Sequence, residues 1–179
     1  MKARVRLRQP TADDVPLLNL WDSTPEFRGE FNDFGVPPRD HSDRIAKGFV
    51  DETAGTLIIE SVEGVPLGTI DWRPAVYGPP PESIAAQLGI TLAPEARGKG
   101  YGPEALQLIA EYLFANTRTN RIEGSCDVEN VASQKALTKA GYRYEGIARG
   151  AQFRRGAYHD LMLYGLVRGD LAGAGVAES

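Results

Sequence analysis

The sequence holds one cysteine, Cys126, and two histidines, His41 and His159, in 179 residues. A lone thiol excludes an intrachain disulfide, and so few thiol and imidazole groups leave little from which to build a metal centre, so no metal is expected. A reducing cytoplasm is the compartment that fits. Long apolar runs are missing as well, with nothing near the roughly 18 residues that a membrane helix needs. The N-terminal "MKARVRLRQP" alternates apolar and basic residues where an export signal would be continuously apolar, so neither membrane insertion nor standard export is expected. Nor is there an excess of one charge: the formal net charge is -4, which gives no general reason to bind nucleic acid or an anionic membrane. Any anion site must be local.

What is present is an ordinary globular balance, 42% hydrophobic and 25% charged. That length suits one domain with a substantial core, so residues 1–179 are expected to form a single domain, with the small and polar 167–179 a flexible tail. Residues 3–8 alternate as a strand, and Thr11, Asp13 and Asp14 then read as the start of a helix carrying Val15, Leu18 and Trp21. Residues 22–39 are irregular and rich in proline and glycine, yet hold Phe27, Phe31 and Phe34; a short helix is expected near 40–50. "GTLIIES" and "PLGTIDW" read as an antiparallel hairpin, and "RPAVYGPPPES" as a loop.

Residues 84–92 alternate cleanly as a strand, and Leu106, Ile109, Ala110 and Leu113 stripe a helix over about 103–115. "RIEGSCDV" is a further strand, residues 130–140 a short helix with Ala132, Ala136, Leu137 and Ala140 inward, and two strands close the chain. The expected fold is therefore α/β, a mixed and mostly antiparallel sheet of about seven strands flanked by about four helices, with a right-handed central crossover.

Between the strand at 84–92 and the long helix lies "PEARGKGYGPEAL". Gly98, Gly100 and Gly102 let backbone N–H groups approach a ligand, the helix N-terminus adds positive potential, and Arg97 and Lys99 add charge. The loop is built for phosphate. A Walker pattern is absent, since no Gly-Lys-Ser/Thr closes the loop. Gly100-Tyr101-Gly102-Pro103-Glu104-Ala105 does match G-x-G-x-x-A, with Glu123 where a ribose-binding acid could stand. Against a dinucleotide stand the residues between strand and glycines, the antiparallel hairpin before them, and Pro103, which removes a helix N–H.

"ITLAPEARGKGYGPEAL" resembles motif A of the GCN5-related N-acetyltransferase (GNAT) superfamily, matched at Arg97, Gly100 and Gly102. "ENVASQKALTKAGYRYEG" and "GAYHDLMLYGL" are similar to segments of its RimJ/RimL-type branch, whose members acetylate protein N-termini. The resemblance implies acetyl-CoA as cosubstrate, a sheet splayed between strands 4 and 5, pyrophosphate held by the 97–102 loop, and pantetheine lying against backbone near Ile90 and Leu92. Tyr101, within the loop, falls in the same cofactor set. Asn130 matches a residue that contacts the cofactor arm, and it also suits the N-cap of the next helix. Ser133 matches the proposed catalytic acid of that branch, because the tyrosine slot used by many superfamily members is here Leu137. Tyr101, Tyr142, Tyr144 and Tyr158 are substitutes. Some relatives carry a glutamate where this chain has Gln152, which cannot take a proton, leaving Glu123, Asp71 and Asp127 as candidate bases.

A weak base favours an acceptor that is already partly neutral. An α-amine with a pKa near 7.7–8.0 meets that condition far better than a lysine near 10.4. The expected acceptor is a protein or peptide N-terminus, with a small amine such as a polyamine or antibiotic as the alternative, and a CoA-binding module without turnover as the non-enzymatic one. Specificity is expected in residues 22–39 and 74–83, and the terminal strands leave a homodimer open.

Overall fold

In the computed structural model, which describes residues 3–51 and 53–173, the chain opens on β1 (Val5–Arg8). A turn follows in which the Thr11 N–H donates to the Asp14 carboxylate at 2.7 Å, and Arg8 clamps the same carboxylate. That ion pair holds the Asp14 pKa down at about 2 and fixes the start of α1 (Val15–Ser23). Residues 22–39 are less irregular than expected. Pro25, whose fixed φ suits a first helical turn, starts a short α2 (Pro25–Arg28), and α3 (Asp43–Lys47) supplies the helix expected near 40–50.

The sheet continues through β2 (Gly55–Ser61), β3 (Pro66–Val76) and β4 (Ile84–Leu92), all antiparallel. Residues 73–76 belong to β3, where a proline-rich loop was expected. The reason is local: β2 ends opposite Trp72, so beyond that point β3 has β4 on one side only, and Pro74 sits where a missing N–H is tolerated. Next come α4 (Tyr101–Asn116), β5 (Arg121–Asp127), α5 (Val131–Lys139), β6 (Arg143–Arg154) and β7 (Ala157–Val167). The seven strands lie in the order β1-β2-β3-β4-β5-β7-β6, and only β4 and β5 run parallel, joined by the α4 crossover. The apolar stripe of α4, Leu106, Ile109, Ala110 and Leu113, is fully buried against Leu57, Ile59, Ile70 and Ile122. Of the α5 residues expected inward, Leu137 and Ala140 are buried, whereas Ala132 is exposed.

The expected tail at 167–179 also needs correction. Residues Arg168–Gly173 form α6, held because Arg168 donates to the Thr117 and Thr119 carbonyls at 3.0 and 2.7 Å, and Asp170 pairs with Arg143 at 2.7 Å. Residues 174–179 lie outside the described region. With α2 and α6 the helices number six among the described residues, two more than expected. Among the described residues no helix is long and apolar enough to cross a membrane.

The sheet is splayed at its one parallel pair. The β4–β5 pairing covers only Ala86↔Ile122, Gln87↔Glu123 and Leu88↔Gly124. Past Leu88, β4 stays with β3 as far as Leu92, while β5 stays with β7 as far as Asp127, so the two halves of the sheet part company.

Candidate active site

Which backbone groups face the gap follows from the register. The Ala93 N–H donates to the Leu67 carbonyl at 2.8 Å, so in the alternating antiparallel ladder Thr91 and Gly89 spend their backbone groups on β3. Leu88, Ile90 and Leu92 therefore turn theirs toward β5, and beyond Leu88 no strand among the described residues meets them. The Leu92 carbonyl is taken by the Arg97 guanidinium at 3.0 Å. The Ile90 N–H and carbonyl and the Leu92 N–H stay open, an unpaired edge of the kind that an extended ligand completes as an extra strand.

Beyond this edge, Gly98 and Gly100 adopt left-handed φ values of 72° and 82°, and Gly100 caps α4. Among the described residues, the N–H groups of Gly98, Lys99 and Gly100 have no backbone partner. Their carbonyl side is braced: Arg4 donates to the Lys99 and Gly100 carbonyls at 2.9 and 3.1 Å and is itself fixed by Glu104 at 3.1 Å. Arg4 also lies over the Tyr101 ring, 5.4 Å from its centroid. With the carbonyls held by Arg4, the amides are left for an anion, which is the arrangement a pyrophosphate needs. Arg97 departs from its expected role as mobile charge. Besides Leu92 it donates to the Glu26 and Phe27 carbonyls at 2.9 and 2.6 Å, so it ties α2 to the end of β4 and leaves Lys99 as the exposed base of the loop.

From the gap a cleft of about 310 Å³ runs toward the face that α1 and the 28–39 segment overhang. Ile90, Asn130 and Ser133 line it, as do Asp71, Gln152 and Leu137, whereas residues 97–102 lie outside its walls and 74–83 do not reach it. Specificity expected in both loops thus has a structural counterpart only in the first. Asn130 caps α5, its side chain accepting from the Ser133 N–H at 3.1 Å, and the same residue lines the cleft.

The candidate bases separate by their partners. Asp127, 3% exposed, is paired with Arg154, and His159 Nδ1 lies 3.2 Å from the same carboxylate oxygen. Glu123 is held by Arg121 at 2.8 Å and by the Tyr77 hydroxyl at 2.5 Å, outside the cleft. Asp71 makes no salt bridge among the described residues. It projects beside Gly89 on the face that opens into the cleft, and desolvation pushes its pKa above the usual carboxylate range against the pull of Arg39 and Arg73.

The tyrosines separate in the same way. Tyr142 is buried, its hydroxyl 3.4 Å from the Leu106 carbonyl, and burial raises its pKa. Tyr144 and Tyr158 are exposed and absent from the cleft wall, and Leu137 in the tyrosine slot is core, packed against Gly124. Two residues that sequence reasoning missed support the site. Arg4 and Arg154 act through contacts about 100 residues away in the chain, at Lys99 and Glu30, and no local pattern signals them.

The sequence model of the acetyltransferase (GNAT) domain matches residues 4–143. The chain belongs to the GNAT family. Among relatives of this GNAT chain is the uncharacterized N-acetyltransferase p20 of Bacillus licheniformis, 32% identical over 92 residues, 51% of this chain and 52% of the relative. The chain spans about half the length of the curated relatives it matches. Solved GNAT structures are similar over nearly the whole fold. Spermidine N-acetyltransferase of Vibrio cholerae, in complex with CoA and spermine, gives a TM-score of 0.77 at 17% identity, covering 96% of this chain and 99% of that one. RimL, a ribosomal L7/L12 alpha-N-protein acetyltransferase in complex with CoA, gives 0.76 at 19% identity over 93% and 95%.

Proposed function

We propose that the protein is an N-acetyltransferase that moves the acetyl group of acetyl-CoA directly to a primary amine, with a protein or peptide α-amine as favoured acceptor, working in the cytoplasm. The observation that carries this reading is the open edge of β4 at Ile90 and Leu92, beside a glycine loop whose amides have no backbone partner. The pyrophosphate falls to Gly98, Lys99, Gly100, Tyr101 and Gly102, with Arg97 bracing the loop, and the pantetheine arm to Ile90, Leu92 and Asn130.

The chemistry then follows from what lines the cleft. The neutral amine forms the N–C bond, and negative charge developing on the thioester oxygen is met by a backbone N–H of the open edge, an interaction whose loss costs about 3 kcal/mol in other enzymes. The nitrogen releases its proton to Asp71. As the C–S bond breaks the electron pair passes to sulfur, the Ser133 hydroxyl supplies the proton that makes the free thiol, and Ser133 takes a proton back from solvent while Asp71 releases the amine's proton there, so both side chains return to their starting states. Ser133→Ala is expected to lower kcat about 10-fold or more while the acetyl-CoA Kd stays within about threefold, as loss of a general acid does; equal turnover in the variant removes Ser133 from the mechanism.

The donor site is tested at Gly98, where an added Cβ would meet no protein atom within 4 Å. Gly98→Val adds a branched side chain at a left-handed φ and crowds the amides, so acetyl-CoA affinity by calorimetry is expected to fall at least about 10-fold. Gly98→Asn, which accepts the left-handed conformation, separates backbone strain from crowding. Retained affinity in the valine variant overturns the pyrophosphate assignment. Thiol release from acetyl-CoA with an amine panel tests transfer itself, and no release with any amine overturns it.

A further inference from the structure

The charges that face the acceptor side of the cleft are not balanced. Asp22, Asp71 and Asp127 line it together with Arg28, Arg39 and Arg73. Of the acids, Asp127 is paired with Arg154, and Asp22 shares a hydrogen bond with His41, whose Nε2 lies 3.0 Å from its carboxylate. The arginines have more to give. Among the described residues, Arg39 makes no hydrogen bond or ion pair, and Arg73 makes a single one, to the Gln87 side chain at 2.9 Å. Arg28 reaches the Val36 carbonyl at only 3.4 Å, and its Nε is buried with no partner. Arginines elsewhere around the site are used up in bracing: Arg44 on the Gly48 and Phe49 carbonyls, Arg97 on Leu92, Glu26 and Phe27, and Arg154 on Glu30 and Asp127. Three guanidinium groups with unspent donors, beside two carboxylates that no arginine pairs among the described residues, Asp22 and Asp71, leave this side cationic by one charge.

Resting on the acetyl-transfer reading, we propose that the acceptor is an amine that carries a carboxylate close to it, bound with the amine at Asp71 and the carboxylate by Arg39 and Arg73, which line the same cleft, as does Arg28. Guanidinium is the group best shaped for this, since it offers parallel N–H donors to a planar carboxylate. The same side opposes a polyamine, whose second cation would meet three arginines. Two sources share the chemistry: a peptide N-terminus with Asp or Glu in its first positions, and a free acidic amino acid.

The test is initial-rate kinetics of thiol release from acetyl-CoA with an acidic N-terminal peptide, its Asn/Gln counterpart, free glutamate and spermidine. An acid-to-amide ratio in kcat/KM of at least about 10-fold is expected, the scale of one charge-assisted hydrogen-bonded pair. Free glutamate outrunning the acidic peptide would identify the amino acid as the source, and the reverse the peptide; either supports the proposal. In R39Q/R73Q the acid-to-amide ratio is expected to collapse toward one whatever the absolute rate, and in R39K/R73K to persist in part. A wild-type ratio near one, or spermidine as the best acceptor, overturns it. Calorimetric affinity of the two peptides for the CoA-saturated protein reads the same ratio without turnover. Failure of transfer and failure of carboxylate recognition are thereby told apart.

Discussion

Asp71→Asn is expected to lower kcat/KM for the acceptor amine by about 10²- to 10⁴-fold, the range of a lost general base, with acetyl-CoA affinity unchanged within about threefold. The asparagine keeps the shape of the side chain and its place beside Gly89 and removes only the ability to accept a proton. Position favours Asp71 over the other acids because it faces the cleft and makes no salt bridge among the described residues, whereas the carboxylates of Asp127 and Glu123 are engaged by arginines. The raised pKa sets the direction of the pH dependence. A base must be deprotonated to act, so kcat/KM falls as pH drops through a value above the usual aspartate range, and that limb is absent from the variant.

Stability moves the other way. Below the ordinary aspartate pKa the proton is present in folded and unfolded chains alike and costs nothing; as pH rises through the folded value, the partly buried carboxylate is charged against its surroundings and stability is lost. Asp71→Asn should therefore raise Tm at pH 7 and leave it unchanged at pH 3. Full activity in the variant, or a lower Tm at pH 7, would remove Asp71 from the role of desolvated base.

Much of the donor side was legible because it is written in local pattern. Alternation over 84–92, three glycines and a striped helix are each read within a few residues, and the structure joins them as strand, left-handed turn and α4. The splay came from the resemblance and not from local pattern, and it arises because β4 and β5 each keep a longer antiparallel neighbour. What pattern could not give is the partner of a charged side chain. Arg97 sits in a phosphate-like loop, yet its guanidinium is drawn to three carbonyls, because the end of β4 and the end of α2 leave acceptors within its reach. Asp127, a candidate base by sequence, is closed in an ion pair with a residue 27 positions on. Pro74 and the 168–173 helix failed for a related reason: a proline is admissible where a strand has lost one neighbour, and a polar terminal segment folds where Arg168 finds three carbonyls. Such facts belong to tertiary packing, which overrides local propensity.

The same kind of distant contact underlies the second large effect. Arg154, 4% exposed, donates to the Glu30 carbonyl at 2.7 Å, pairs with Asp127, and stands over the Phe31 ring at 5.2 Å, so it fastens the segment overhanging the cleft to the ends of β5 and β6. Arg154→Ala takes from the buried Asp127 its arginine and leaves only His159 and the Glu129 N–H against the carboxylate, and the expected cost is about 3 kcal/mol, or a fall in Tm of roughly 10 °C for a chain of this size. The acceptor KM should rise at the same time, because Glu30 and Phe31 lose their anchor, while acetyl-CoA affinity is kept, since among the described residues Arg154 hydrogen-bonds Glu30, Asp127 and His159 and no group of the open β4 edge or the glycine loop. Two consequences of one side chain can be separated by removing the charge on both partners. Arg154→Met with Asp127→Asn leaves no buried ion and preserves an acceptor for the Glu129 N–H, which Asp127 holds at 2.8 Å. Calorimetry should find most of the lost stability restored in the pair, and kinetics should find the acceptor KM still high, because no donor returns to Glu30. A double variant that recovers KM together with Tm would mean that the overhanging segment is held by its own packing, and an unchanged Tm in Arg154→Ala would mean that the ion pair does not bind it to the sheet at all.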